Sequence, residues 1–78
     1  MKAYLVLITW PDGTEGLLFP RPGNVQIAAT ESQGDKDFKK AKADLIEYAP
    51  HSKKSLAGSV VRLIEFERGA ELRRFTLP

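Results

Sequence analysis

The sequence contains no cysteine. A disulfide framework and a thiolate metal site are both excluded, and with them the usual supports of small secreted domains, so a reducing cytosol is the expected compartment. There is a single histidine, which leaves a metal site or a catalytic dyad without its other members. No run approaches the roughly 20 apolar residues that a membrane span requires, so no membrane partner is expected. An excess of one charge is lacking too: 12 basic residues face 10 acidic ones, for a formal net charge of +2. A protein that imitates DNA would be strongly acidic, and one that coats DNA non-specifically is usually more basic than this.

What is present is an ordinary globular balance, with 78 residues, 42% hydrophobic and 28% charged. At that size only about 60% of the unfolded chain's surface is buried on folding, so one core in one domain spanning 1–78 is the expectation. Ala3 to Trp10 is apolar on both alternating faces, with Tyr4, Val6, Ile8 and Trp10 on one side and Ala3, Leu5 and Leu7 on the other. That pattern predicts a strand inside a sheet. It is not read as a signal peptide, because the run is short, rich in β-formers and followed by Pro-Asp-Gly. Pro11-Asp12-Gly13-Thr14 is a turn signal, and Glu15 to Phe19 returns as a second strand. Pro20, Pro22 and Gly23 surround Arg21 in an irregular loop, and Val25 to Ala29 alternates as a third short strand.

From Asp35 the period changes. Phe38, Ala41, Leu45, Tyr48 and Ala49 recur at helical spacing on one face. The expected helix begins with Asp35 as its cap and stops at or before Ala49, ahead of Pro50. Ser59 to Phe66 and Ala70 to Leu77 form a closing hairpin around Glu67-Arg68-Gly69. That register turns Val60, Ile64, Phe66, Ala70 and Leu72 toward the helix and sets Arg62 beside Arg74; a two-residue loop would separate the arginines. The fold class implied is α+β: an antiparallel sheet of four to five strands with one amphipathic helix packed on one face.

Catalytic chemistry is sparse. His51 follows the helix-stopping proline with no carboxylate to orient it. Ser32, Ser52, Ser55 and Ser59 lie in no nucleophile elbow, and Gly13 and Gly16 do not open a helix as a phosphate loop does. Glu65, Glu67 and Glu71 gather near the last hairpin's tip, but they alternate with Arg68 and Arg73 as a cross-strand charge ladder. The chain is read as a binding protein, not an enzyme, and nothing in it calls for a cofactor.

The informative polar residues are basic. Lys36, Lys39, Lys40 and Lys42 fall on the outer helix surface and Lys53 and Lys54 just beyond it. They are either a solvated face or a docking surface for an anionic partner. Arg62, Arg73 and Arg74 make a second candidate patch, since like charges directly opposite are destabilising unless an anion or an acidic side chain relieves them. Arg21 adds to either patch. Trp10, at a strand end beside a turn, is a packing residue or an exposed anchor.

The layout comprises an opening strand Lys2 to Trp10, a Lys-rich helix Lys36 to Ala49 and a terminal hairpin GSVVRLIEFERGAELRRF. It resembles, over most of the chain, the small proteins of phages and mobile elements, among them the anti-CRISPR inhibitors. The resemblance implies a stoichiometric inhibitor that binds a Cas protein or a type I surveillance complex in the host cytoplasm and stops target DNA recognition or cleavage. Because the chain is not acidic, the mode implied is direct contact or occlusion. Two other readings remain: a small nucleic-acid-binding or regulatory protein using the same lysines, and an accessory subunit that homodimerises along an open sheet edge. The chain is accordingly expected to be a monomer or a homodimer.

Overall fold

Alternation in Tyr4–Thr9 (β1) buries Tyr4, Val6 and Ile8 and leaves Leu5, Leu7 and Thr9 half-buried. The computed structural model describes residues 2–17 and 27–78. Within them β1 is followed by Glu15–Leu17 (β2), a helix Glu31–Tyr48 (α1), a 3-10 turn Ala49–His51, Val60–Glu65 (β3) and Ala70–Thr76 (β4). The strands form an antiparallel sheet in the order β2-β1-β3-β4, so β1 is interior as expected and the class is α+β. The expected loop around Arg21, and Leu18, Phe19, Val25 and Gln26 of the expected strands, lie outside the described residues. Ala28 makes only an isolated antiparallel bridge to Tyr4, with hydrogen bonds of 2.9 and 3.0 Å.

The β1–β2 turn follows its sequence signal. Gly13 has φ +90°, which only glycine adopts freely, and the Asp12 carboxylate accepts from the Thr14 amide at 2.9 Å and its hydroxyl at 2.6 Å.

One face of the sheet carries α1. Tyr4, Val6 and Ile8 of β1 stand directly opposite Glu65, Leu63 and Val61 of β3. Phe38, Ala41 and Leu45 of α1 close over these rows, joined by Ala28 and Leu77 in one buried cluster. Trp10 packs half-buried against its margin.

The helix begins a turn earlier than the sequence reading placed it. Thr30, not Asp35, is the cap: its hydroxyl accepts from the Gln33 amide at 3.2 Å. Gly34 lies inside α1 because the helix approaches the sheet closely there. A Cβ at that position would meet the Tyr4 Cβ at 2.8 Å and Leu63 Cδ1 at 3.2 Å. Tyr48, expected in the core, is 58% exposed, at the margin of the apolar stripe in the last turn. The helix ends before Pro50 as predicted, passing into the 3-10 turn.

The closing hairpin corrects two expectations. Its inward row is Val61, Leu63 and Glu65, while Val60 and Ile64 face away and Phe66 is 68% exposed. The pairing with β1 sets this choice, and it buries a carboxylate. Glu65 tolerates burial because Arg68 from the turn forks it, Nε at 3.1 Å and Nη2 at 2.6 Å. The connection is also longer, Phe66 to Gly69 between the paired Glu65 and Ala70, with Gly69 at φ +64°. A register shift between Leu63 and Ile64 leaves Leu72 as an extra residue in β4, and beyond it Arg62 does pair with Arg74.

Candidate functional site

The bulge at Leu72 distributes the hairpin's charges. Glu71 pairs with Ile64 and Arg74 with Arg62, so the bulge places Glu71 and Arg74 on one face despite their odd spacing. Arg73, opposite Leu63, is turned to the helix side. The arginine patch of Arg62, Arg73 and Arg74 is thereby split across the sheet.

On the face away from α1, each arginine has an acidic partner. Arg62 Nη2 reaches Glu15 Oε1 at 2.5 Å, and Arg74 Nη2 reaches Glu71 Oε1 at 2.9 Å. Among the described residues, Arg62 Nε is buried without a hydrogen-bond partner. The like charges at Arg62 and Arg74 are thus relieved from within the chain, which withdraws them as a signal for an external anion.

On the helix side the arrangement differs. Asp35, Lys39, Lys42 and Ile46 recur at spacings of four, three and four residues along the flank of α1 beside β4. Asp35 is approached by Lys39 Nζ at 3.2 Å and by Arg73 Nε at 3.6 Å. Lys42 Nζ lies 4.8 Å from the centre of the Phe75 ring, within cation–π range. Two cations, Lys39 and Arg73, therefore share one carboxylate along this seam, and Lys42 beside them lies over an aromatic ring. Lys39, Lys42, Ala43 and Ile46 line a shallow recess of about 260 Å³ beside it, and Ile46 is 47% exposed.

The remaining expected residues are dispersed. Lys36 and Lys40 are exposed on the outer surface of α1, in line with Glu47, while Asp37 and Asp44 occupy the flank away from β4. The flank toward β4 thus carries Lys39 and Lys42 with Asp35, and the opposite flank carries Asp37 and Asp44. Lys53 and Lys54 are exposed in the loop after the 3-10 turn. Lys54 lies toward the β1–β2 turn, where its charge helps hold the Asp12 carboxyl below its usual value, though the Thr14 hydrogen bonds are the larger cause. Arg21 lies outside the described residues, and Trp10 is engaged in packing.

Candidate catalytic groups are tied up locally. The Ser59 hydroxyl is buried and donates to the Leu56 carbonyl at 2.7 Å. Ser52 and Ser55 hydroxyls accept amides two residues on, from Lys54 and Ala57. His51 is exposed. Among the described residues no group of three or more His, Asp or Glu side chains is placed to hold a metal, and no helix is long and apolar enough to cross a membrane.

Comparison with family models, curated proteins and solved structures found no match.

Proposed function

We propose that this chain acts by stoichiometric binding, as an inhibitor of the anti-CRISPR type that engages a Cas protein or a type I surveillance complex and blocks target DNA recognition. The observation that carries the binding reading is the seam in which Lys39 and Arg73 share a single carboxylate, Asp35, and Lys42 lies over Phe75. Such a locally unbalanced positive edge raises encounter rates with acidic surfaces. The inhibitor assignment rests on the format of the chain and its mild net charge of +2, which favours contact or occlusion over imitation of DNA. The test is co-elution of the purified protein with a type I surveillance complex, together with phage survival in a CRISPR-active host. Absence of both removes the reading.

A second reading, a small nucleic-acid-binding or regulatory protein, draws on the same basic edge. Affinity for bare DNA or RNA would then fall steeply with added salt. Mobility-shift titrations at two salt concentrations separate the cases, and no shift at low salt excludes this one. Homodimerisation along the full length of β4 is opposed by the bulge at Leu72, which limits the regular edge to Arg73–Thr76.

A further inference from the structure

We infer that the seam between α1 and β4 is a docking groove for an acidic, extended peptide segment of a protein partner. This rests on the binding reading above and adds the surface and the chemistry of its occupant.

Charge is the first reason. Arg62, Arg68 and Arg74 are each matched by a carboxylate of their own. Lys39, Lys42 and Arg73 have only Asp35 among them. Two of these cations share the single Asp35 carboxylate and Lys42 has only an aromatic ring, so positive charge is left over for an incoming carboxylate after the existing contacts are counted.

Shape is the second. The recess over Ala43 and Ile46, about 260 Å³, is formed by α1 alone and is open to solvent on the side of the seam, unlike the enclosed pockets that take small molecules. It suits an apolar side chain carried by a peptide. Beside it runs β4, the outermost strand of the sheet, and its Arg73–Thr76 part pairs regularly with β3 beyond the bulge. An outer strand offers free backbone donors and acceptors to an extended segment, whose alternate side chains would then face the helix flank. Arg73 meets Asp35 and Phe75 meets Lys42, so the strand follows that flank along the cations.

A nucleic acid fits the seam less well. Single-stranded binders stack bases on open aromatic faces, and the Phe75 ring is already covered by Lys42. Ala43 and Ile46 give phosphates nothing to bind.

The experiment is a fluorescence-anisotropy titration of the full chain with three labelled probes: a peptide carrying glutamate, glutamate and leucine at every second position with threonine between, so that all three face one side of an extended strand, its glutamine–leucine counterpart, and an oligothymidylate. The glutamate peptide is expected to bind saturably and to weaken with added salt. The double variant Lys39→Glu, Lys42→Glu should lose affinity about tenfold or more, as should Ile46→Asp, while Lys53→Glu, Lys54→Glu keeps it. Circular dichroism confirms that each variant is folded. No saturable binding at low salt, equal binding of the glutamine peptide, tighter binding of the oligothymidylate, or unchanged affinity of the Lys39/Lys42 variant overturns the proposal. Co-elution with a type I complex that survives the Lys39/Lys42 variant overturns the groove and leaves the inhibitor reading standing. Peptide binding without co-elution does the reverse.

Discussion

The two sides of the sheet treat their cations in opposite ways. On the face away from α1, Arg62 and Arg74 lie directly opposite each other and are reconciled by Glu15 and Glu71. At the α1–β4 seam, Lys39 and Arg73 share Asp35, and Lys42 lies over the Phe75 ring. The first arrangement belongs to the fold: its charges hold register and leave nothing unbalanced for a partner. The second spends little on stability, because its side chains are largely exposed, and leaves positive potential beside an apolar recess.

The comparison breaks most completely if the seam is taken apart. Gly34→Val would force a branched side chain into the 2.8 Å approach to Tyr4 and lift α1 from the sheet. We expect a loss of about 3 kcal/mol, at the top of the usual range for overpacking, read as a lower urea midpoint. Gly34→Ala should cost less, since alanine recovers about 1 kcal/mol of helix propensity.

The comparison sharpens if Asp35 is neutralised. Asp35→Asn frees Lys39 and Arg73 together, so affinity for the glutamate–leucine peptide should rise severalfold with little change in thermal midpoint. Replacing Arg62 by alanine should leave that affinity within about twofold, because Arg62 lies on β3, one strand in from the edge, on the opposite face and already paired with Glu15. A drop at Arg62 comparable to that at Lys42 would erase the distinction between the two sides.

Smaller still is the stability effect of the outer pairs. Glu15→Gln leaves Arg62 facing Arg74 without its carboxylate, and should cost about 1 kcal/mol or less in denaturant titration, more at low salt. The smallest effect is a slope against pH. Arg68 holds the buried Glu65 carboxyl below its ordinary value of 4.5, its hydrogen bonds outweighing the opposing effect of burial. Since the folded form binds this proton less readily, the pair's stabilisation is complete above about pH 4.5 and is lost as the pH falls through the depressed value. Glu65→Gln should flatten the acid limb of a pH–stability curve, and an unchanged limb would assign it to other carboxylates.

Much of the fold was legible because period and punctuation agreed. The alternation of β1, the Pro-Asp-Gly turn and the Phe38, Ala41, Leu45 stripe each had one physical reading, and each holds. Two features misled. Asp35 reads as the helix cap, yet the helix starts a turn earlier at Thr30 and runs through Gly34, whose lack of a side chain the contact with Tyr4 requires. Glu65 reads as outward because burying a carboxylate is costly, and the partner that offsets the cost, Arg68, lies in the turn three residues on. The same error turned Ile64 and Phe66 inward.

The site was legible only in part. The cations of α1 were visible, but not their separation from Asp37 and Asp44 onto one flank, which depends on where the helix lies against β4. The recruitment of Arg73 to that flank was hidden by the choice of face: with Arg62 opposite Arg74, Arg73 stands opposite Leu63, and it was Val60 and Ile64, not Leu63, that the sequence pattern turned toward the helix. The spacing of Asp35, Lys39, Lys42 and Ile46 was the one available signal for the seam.

The most direct measurement of the central claim is an amide chemical-shift titration of the labelled protein with the glutamate–leucine peptide. The predicted result is a contiguous set of shifts covering Lys39, Lys42, Ala43 and Ile46 of α1 together with Arg73 to Thr76 of β4, and none at Leu5, Leu7 or Arg62. Shifts centred on the outer sheet face, or confined to Lys36, Lys40 and the Lys53–Lys54 loop, would contradict it.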